Sequence, residues 1–489
     1  MIVLFNPLST TPGKQPLPLS VMALGAVLEG RHPWALVDGN LCPTPARDII
    51  DRLDHSGSLL AVTVMPGPQL TQAVEVCRQV REARPETPIV WGGYFPTQHA
   101  DTVLASPLVD FVVRSQGEGP LLKLVRVLAG QGAPSDVPGL SWKLPDGQII
   151  HNPVGMMTPL DELPELPYAC VDMEDYLHPT YLGRRTVAHN SSFGCPFSCS
   201  FCAVVAMTNR RWLAESPARM ERVLGRLVRD YCVDAVQMHD MDFFINEARV
   251  AEFSGRITPL GVRWWGLGRI DTLMGYSNAT WTAMVRSGLK MVFSGAESAS
   301  DAVLATMNKG GKASARLALD LARRMKSFGV VPEYSFVLGS PPDPAGDMAS
   351  TFEFIREIKR VNPATEIVLY TYTPVPMDGV LYTEASRRGF AFPSTLEEWA
   401  SDEWRQLMMR RGDGIPWLDA TVRRKVRNFE RVLNAFYPTV TDRRLTPVRR
   451  ALLKTISAWR YALRLYSAPY ELRALHRLMH YQRPETTGF

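Results

Sequence analysis

The sequence lacks the features that mark secreted and membrane-spanning proteins. Its 489 residues hold only seven cysteines, and three of them fall within eight residues, which argues against a disulfide framework and favours a reducing cytoplasm. No apolar run reaches the ~18 residues that a membrane-spanning helix requires, and the apolar first residues have no basic flank of the kind found in signal peptides. We therefore expect a packed cytoplasmic protein that does not span a bilayer.

The sequence also lacks the uniformly basic charge that is common in nucleic-acid enzymes. The net charge is +5, but residues 420–489 hold 15 Lys and Arg against 4 Asp and Glu, a balance of +11, so that the rest of the chain sums to −6. We expect no nucleic-acid partner and a separate role for this basic region. With 46% hydrophobic residues, the chain has enough apolar material for two to four domains.

Residues 1–138 alternate short β-rich runs with helical segments. Five strands with helical crossovers predict a doubly wound parallel sheet, an α/β fold whose ligands lie beyond the carboxyl ends of the strands. Two loops at that edge, Met65–Gln69 and Gly92–Pro96, contain glycines that let the backbone approach a bulky ligand closely. The alternative is that both loops are ordinary strand-to-helix turns.

A second alternation follows a loop-rich linker. Residues 139–185 contain a probable hairpin at Pro145–Gly147 and a proline-rich run. Residues 186–384 then show six βα units, one of whose helices opens at Ser216–Pro217, and they predict a partial or full α/β barrel with its chemistry at the carboxyl ends of the strands. Residues 385–489 are predicted to form a basic helical region without strands.

Three of the cysteines lie on one short loop after the first predicted barrel strand. Cys195, Cys199 and Cys202 can reach three corners of one iron–sulfur cubane and leave the fourth iron open. A zinc site is the alternative, and it would need His189 or His239 as a further ligand. The isolated cysteines are more typical of small buried hydrophobes; they are Cys42, Cys77, Cys170 and Cys232.

The C-x3-C-x2-C spacing, with Phe201 before the third cysteine, resembles the radical S-adenosylmethionine (SAM) superfamily. The resemblance implies a [4Fe-4S] cluster whose open iron binds SAM, reductive cleavage of SAM to a 5′-deoxyadenosyl radical, and a reductant such as flavodoxin or ferredoxin.

Later segments resemble the SAM contacts of this superfamily. Ser294–Ser298, followed by Leu304 and Met307–Gly310, resembles the fourth-strand segment and implies SAM contacts from Gly295, Glu297 and Ser298. Phe336–Pro341 resembles the fifth-strand segment beside the adenine, which implies a contact from Gly339, and Tyr372–Gly379 resembles the end of the sixth strand. His239–Asp242 replaces the usual Gly-Gly-Glu, so that Asp240 is the candidate for the SAM amino group. Arg269, which closes the third strand, stays ambiguous.

The amino-terminal sheet resembles the cobalamin-binding domain fused to one large radical SAM class. Three segments carry this resemblance, and the cobalamin-contacting residues that it implies are Met65, Gly67 and Gln69, then Gly92 and Gly93, then Glu118. The sequence has no Asp-x-His-x-x-Gly, and His32, His55 and His99 lie outside any such pattern. The resemblance therefore implies base-off cobalamin without a histidine ligand.

C-methylation of an unactivated carbon in a small-molecule substrate is the activity that this class implies first. A cobalamin-dependent radical cyclisation or ring rearrangement is the alternative, and a non-catalytic corrinoid or Fe–S sensor is a third. No second cysteine triad is present in the amino-terminal domain, which disfavours a methylthiotransferase.

The basic region contains one sharply defined helix, opened by Thr446–Pro447. Its apolar residues recur at steps of three and four; they are Val448, Leu452, Ile456, Trp459, Leu463 and Tyr466. Flanking cations are Arg449, Arg450, Lys454, Arg460 and Arg464. Either this stripe packs on the barrel, or the helix makes peripheral contact with a membrane and brings a lipid-like or tetrapyrrole substrate within reach.

Overall fold

The structure is a computed structural model that describes residues 1–11, 13–53, 57–309, 314–341, 343–377, 379–408, 414–442 and 445–479. His55, Gly310 and Asp378, which belong to segments considered above, lie outside the described residues.

The amino-terminal part of the chain folds as one twisted sheet with helices on both faces. Its strands are β1 (Ile2–Asn6), β2 (Trp34–Asp38), β3 (Leu59–Thr63), β4 (Ile89–Gly92), β5 (Phe111–Val113), β6 (Leu140–Lys143) and β7 (Ile149–His151). Its helices are α1 (Leu19–Leu28), α2 (Pro45–Arg52), α3 (Pro68–Ala83), α4 (Tyr94–Gln98), α5 (Ala100–Ala105) and α6 (Glu118–Leu128). The order is β2-β1-β3-β4-β5-β6-β7, and β1 to β5 are parallel, which confirms the predicted doubly wound sheet.

The predicted hairpin at Pro145–Gly147 belongs to this sheet. β6 pairs antiparallel with β5, and β7 pairs antiparallel with β6. The sheet therefore extends to His151, past the boundary expected at residue 138, because β5 would otherwise leave an open edge that the hairpin covers.

The middle of the chain forms the predicted barrel of parallel strands. Its strands, with a small antiparallel pair formed by β9 and β10, are β8 (Thr186–His189), β9 (Ser192–Gly194), β10 (Trp212–Ala214), β11 (Ala235–Met238), β12 (Arg263–Leu267), β13 (Leu289–Glu297), β14 (Val331–Leu338) and β15 (Glu366–Thr371). Its helices are α7 (Ala203–Thr208), α8 (Pro217–Tyr231), α9 (Glu247–Ile257), α10 (Ile270–Gly275), α11 (Asn278–Arg286), α12 (Asp301–Thr306), α13 (Ala315–Ser327) and α14 (Pro344–Val361). The order β15-β14-β13-β12-β11-β8 follows the chain, so the six strands form an open (β/α)6 barrel.

The carboxyl-terminal region is helical, as predicted, but its helices pack on two different bodies. They are α15 (Val380–Arg387), α16 (Leu396–Trp399), α17 (Asp402–Met408), α18 (Ala420–Phe436), α19 (Pro447–Leu463) and α20 (Tyr470–Leu478). Trp399 packs against Phe95 and His99 of the amino-terminal domain at ring distances of 4.9 and 4.5 Å. Phe429 of α18 instead stacks on Phe352 of the barrel helix α14 at 3.8 Å. One region thus ties the sheet to the barrel.

Helix α19 begins where the sequence predicted, and the Thr446 hydroxyl accepts a hydrogen bond from the backbone N–H of Arg449. Its buried residues are Leu453, Ser457, Arg460 and Tyr461. The packing of the predicted apolar stripe on the barrel is therefore wrong for its exposed members, which are Val448, Leu452, Trp459 and Leu463. None of the described helices has both the length and the hydropathy needed to cross a bilayer.

Candidate functional site

The cysteine loop runs from the end of β9 into α7. Gly194 precedes it at φ +84°, and a Cβ there would lie 2.1 Å from the Arg211 carbonyl oxygen, so this position requires glycine. Cys202 is the first flanking residue of α7, and its backbone N–H donates to the Cys199 carbonyl. The loop is thus fixed at both ends by backbone structure.

The three cysteines of this loop are half-buried. Burial raises the pKa of Cys195 to about 12 and that of Cys202 to about 11. Burial also raises the pKa of Cys199, although the nearby Arg269 and Lys309 act in the opposite direction. The protein alone therefore favours neutral thiols here, and a metal charge is needed to hold them as thiolates.

Arg269 clamps the cysteine loop from the end of β12. Its guanidinium lies 3.9 Å from the Phe197 ring centroid and 3.5 Å from Cys199 Sγ. The same group forms a bidentate ion pair with Asp271 at 2.7 and 3.0 Å and donates to the Lys309 carbonyl oxygen at 2.6 Å. The buried Arg269 therefore contacts the loop at Phe197 and Cys199 and is held in place by Asp271 and Lys309, while a contact with SAM stays a prediction.

The segment after α12 supports the loop from the other side. The Ser200 backbone N–H donates to the Met307 carbonyl at 3.0 Å, and the Asn308 side-chain amide donates to the Ser198 carbonyl at 3.0 Å. Met307 and Asn308 lie in a motif that the sequence shows, but nothing in the sequence indicates their contacts with the cysteine loop. They pair with positions more than 100 residues away, which only the fold brings together.

Glu297 ends β13 in a strained conformation. Its φ of +63° lies in the left-handed region, and the pairing of β13 with β14 shifts register between Gly295 and Glu297. Its buried carboxylate accepts a hydrogen bond from Lys309 Nζ at 2.6 Å and another from Ser335 Oγ at 3.4 Å. A Cβ at Gly295 would lie 1.9 Å from Glu297 Oε1, so glycine makes room for the carboxylate. Such strain is typical of functional sites.

Other predicted SAM residues already have partners within the protein. Asp240 accepts hydrogen bonds from the Ser191 backbone N–H and from the hydroxyls of Ser191 and Ser192, so its contact with the SAM amino group stays a prediction. Ser298 donates to Asp347 at 2.5 Å. The Gly339 carbonyl accepts a hydrogen bond from Trp417 Nε1 at 2.9 Å, and this indole covers the end of β14.

The carboxyl edge of the amino-terminal sheet is built mainly from backbone. Gly67 and Gly93 have φ of +91° and +99°, and Gly92 lies in the strand just before Gly93. The Gln69 side chain accepts from the Met65 N–H and donates to the Pro7 carbonyl, which joins two loops of this edge.

Two further predicted contacts lie at the same edge. Glu118 opens α6, where burial raises the pKa of its carboxyl group, and the Met65 side chain is 38% exposed.

The two carboxyl edges face each other. Helix α4, which follows Gly93, packs against α7, which follows Cys202. Burial raises the pKa of Tyr94 to about 12, and the nearby Cys202 contributes to that shift. The edge predicted to hold cobalamin is therefore in contact with the loop predicted to hold the cluster.

The donor set fits a cluster better than a zinc ion. His189 Nε2 lies 3.2 Å from Glu215 Oε2, and the His239 ring packs against Trp265. In the part of the chain that the structure describes, no three His, Cys, Asp or Glu side chains group closely enough for a single metal ion. A cubane instead takes each thiolate at a separate iron corner, and three half-buried thiols on one clamped loop meet that need.

Comparison with known proteins agrees with this architecture. Residues 7–125 match the family model of the B12 binding domain. An uncharacterized methyltransferase of Pyrococcus horikoshii is 26% identical over 348 residues, 70% of this chain and 73% of that protein. The anaerobic magnesium-protoporphyrin IX monomethyl ester cyclase of Synechocystis is 28% identical over 335 residues, 65% of this chain and 64% of that protein.

Solved structures show the same fold at low sequence identity. The cobalamin-dependent SAM radical enzyme OxsB with aqua-cobalamin bound has a TM-score of 0.67 and 16% identity, over 98% of this chain and 75% of that one. The radical SAM methyltransferase TsrM of Kitasatospora setae has a TM-score of 0.64 and 15% identity, over 79% of this chain and 76% of that one. With its barrel and its match to the B12 binding domain, the chain shares the fold of these cobalamin-binding radical SAM enzymes and is similar to them.

Proposed function

We propose that the chain is a radical SAM enzyme in which Cys195, Cys199 and Cys202 hold a [4Fe-4S] cluster and the amino-terminal sheet, extended to His151, holds cobalamin. One observation carries the proposal: the carboxyl edges of the two sheets meet where Tyr94 approaches Cys202. In that arrangement, two ligands bound at the two edges would share one enclosed space. When bound, the cluster supplies the electron that cleaves SAM, and cobalamin supplies a carrier for a methyl group.

The chain's own residues prepare this space for SAM. The buried Lys309 ammonium pairs with the Glu297 carboxylate at 2.6 Å, and the carboxylate oxygens can also accept hydrogen bonds from a cationic amino group. Arg269 holds the loop in place, and Trp417 with Leu418 excludes water above Gly339. A low-potential protein such as flavodoxin or ferredoxin would deliver the electron.

The activity proposed is C-methylation of an unactivated carbon in a small molecule. It is supported by the names of the relatives, which include a methyltransferase, a hopanoid C-3 methylase and a phosphonate methyltransferase. Radical cyclisation is the second candidate, because three relatives are magnesium-protoporphyrin cyclases, and that relationship also favours a lipid-like or tetrapyrrole substrate.

Product analysis separates the two activities. Methylation should require corrinoid and yield S-adenosylhomocysteine together with 5′-deoxyadenosine in the reconstituted enzyme, since two SAM molecules are consumed differently. Formation of product and 5′-deoxyadenosine without S-adenosylhomocysteine would assign the cyclase activity instead.

A further inference from the structure

Helix α19 turns an apolar face away from the protein. At 100° per residue, its buried side chains Leu453 and Ser457 lie on one face, and Leu452 and Trp459 lie on the opposite face. The exposed fractions are 77% for Val448, 45% for Leu452, 48% for Trp459 and 65% for Leu463. The predicted apolar stripe is thus present on the helix, but these four members of it are exposed to solvent.

The apolar surface continues into α20. Leu465, Tyr470 and Leu478 are exposed by 43%, 68% and 82%. Seven of the fifteen large exposed hydrophobic residues in the described chain therefore lie within residues 448–478. Hydrophobic side chains scattered singly over a surface are ordinary, whereas such a concentration marks an interaction site.

The same segment is strongly cationic. Residues 445–479 contain seven Lys and Arg against one Glu, a balance of +6, and that single Glu471 is paired with Arg460. Arg450 donates to the Leu445 carbonyl oxygen, so its side chain stabilises the start of α19.

Two other cations are available to a ligand. Arg449 and Arg477 are exposed, and neither appears in the ion pairs found among the described residues. The Lys454 ammonium instead lies 5.6 Å from the Phe436 ring centroid.

We propose that α19 and α20 form a docking surface for an anionic lipid bilayer, with the apolar face in the headgroup region and Arg449 and Arg477 at the lipid phosphates. Trp and Leu on one face with Lys and Arg beside it is the composition of helices that lie in a bilayer interface. Charge complementarity favours this occupant over a second copy of the chain, since two such surfaces would repel each other. The surface lies on the outside of the barrel and does not depend on the chemistry of the cysteine loop.

Co-sedimentation of the full-length, cofactor-loaded protein with vesicles tests the proposal. The protein should bind phosphatidylglycerol-containing vesicles at low salt and dissociate from them as the salt concentration rises. It should not bind vesicles of pure phosphatidylcholine. The variant R449Q/R477Q should lose about fivefold in affinity per cation, roughly 25-fold together. The variant V448S/L463S should also bind more weakly, because both side chains enter the interface.

A matched control changes the net charge equally at another surface. Arg229 and Arg316 lie on barrel helices with side chains exposed by 71% and 81%, so R229Q/R316Q should retain vesicle binding. Equal affinities of the two double arginine variants, or no binding to anionic vesicles at low salt, would overturn the proposal. It would also be overturned if sedimentation velocity showed a dimer that V448S/L463S dissolves, since the surface would then belong to a second copy.

Discussion

The two parallel sheets of this protein present very different carboxyl edges to each other. The barrel edge carries three thiols, an arginine clamp and the buried Glu297–Lys309 pair. The opposite edge carries glycines at positive φ and backbone groups, with the neutral Gln69 as its connector. The same fold class therefore supports two kinds of recognition. Under the proposed function, the barrel edge would bind through ligation and charge at fixed points, and the amino-terminal edge would bind through the shape of its backbone.

This difference predicts different tolerance to substitution. At the barrel edge, we expect each cysteine to be indispensable, since the described residues offer no further cysteine on this loop to replace a thiolate. At the amino-terminal edge, one added side chain would remove only part of a broad contact with the ligand, so the loss of bound ligand should be graded.

The largest effect is expected at the cysteines. Replacement of Cys195, Cys199 or Cys202 by Ala should abolish the iron–sulfur absorbance and all cleavage of SAM, because each thiolate supplies one iron corner. Replacement of Cys42 or Cys232, which lie away from the loop, should change neither. Production of 5′-deoxyadenosine by a triple cysteine variant would show that the cluster is held elsewhere.

An intermediate effect is expected at Lys309. The K309M variant leaves Glu297 buried without its cation, and we expect kcat/KM for SAM cleavage to fall roughly tenfold to a hundredfold, the equivalent of ~1.5–3 kcal/mol for a hydrogen bond to a charged group. Iron content should stay unchanged.

The double variant E297Q/K309M provides the control for this effect. It removes both charges, so thermal stability should recover while SAM cleavage stays low. Recovery of cleavage together with stability would reduce the pair to a structural role.

The smallest and most graded effect is expected at the glycines. A Cβ at Gly92 would meet no atom closer than 3.6 Å, so G92V should fold normally and lose corrinoid only if the cofactor approaches this backbone. At Gly93, a Cβ would lie 3.0 Å from Thr63 Oγ1 at a φ of +99°, so G93A should lower both stability, by ~1–3 kcal/mol, and corrinoid content.

Gly130 supplies the control for backbone strain. It has a φ of +78° and open space around it, away from the carboxyl edge, so G130A should lower stability without loss of corrinoid. Full corrinoid content in G92V would contradict the proposed approach of the cofactor to this edge.

The sequence predicted what local pattern controls. Alternating strands and helices predicted both sheets, and the spacing of the cysteines predicted one loop. The sequence did not predict long-range packing. The β6–β7 hairpin joins the sheet by pairing with β5, and Trp399 packs on Phe95 some 300 residues away. The α19 stripe shows a further limit, since periodicity predicts that a face is apolar but does not predict that it is buried. There, the buried residues include the polar Ser457 and Arg460 as well as Leu453 and Tyr461.

The central claim is that the two edges enclose one space for both cofactors. Electron paramagnetic resonance of protein loaded with the reduced cluster and with cob(II)alamin tests it directly. The contact of α4 with α7 predicts two paramagnets close enough for mutual dipolar broadening of their signals. Two superimposed, non-interacting spectra from protein shown by iron and corrinoid analysis to hold both groups would contradict the account.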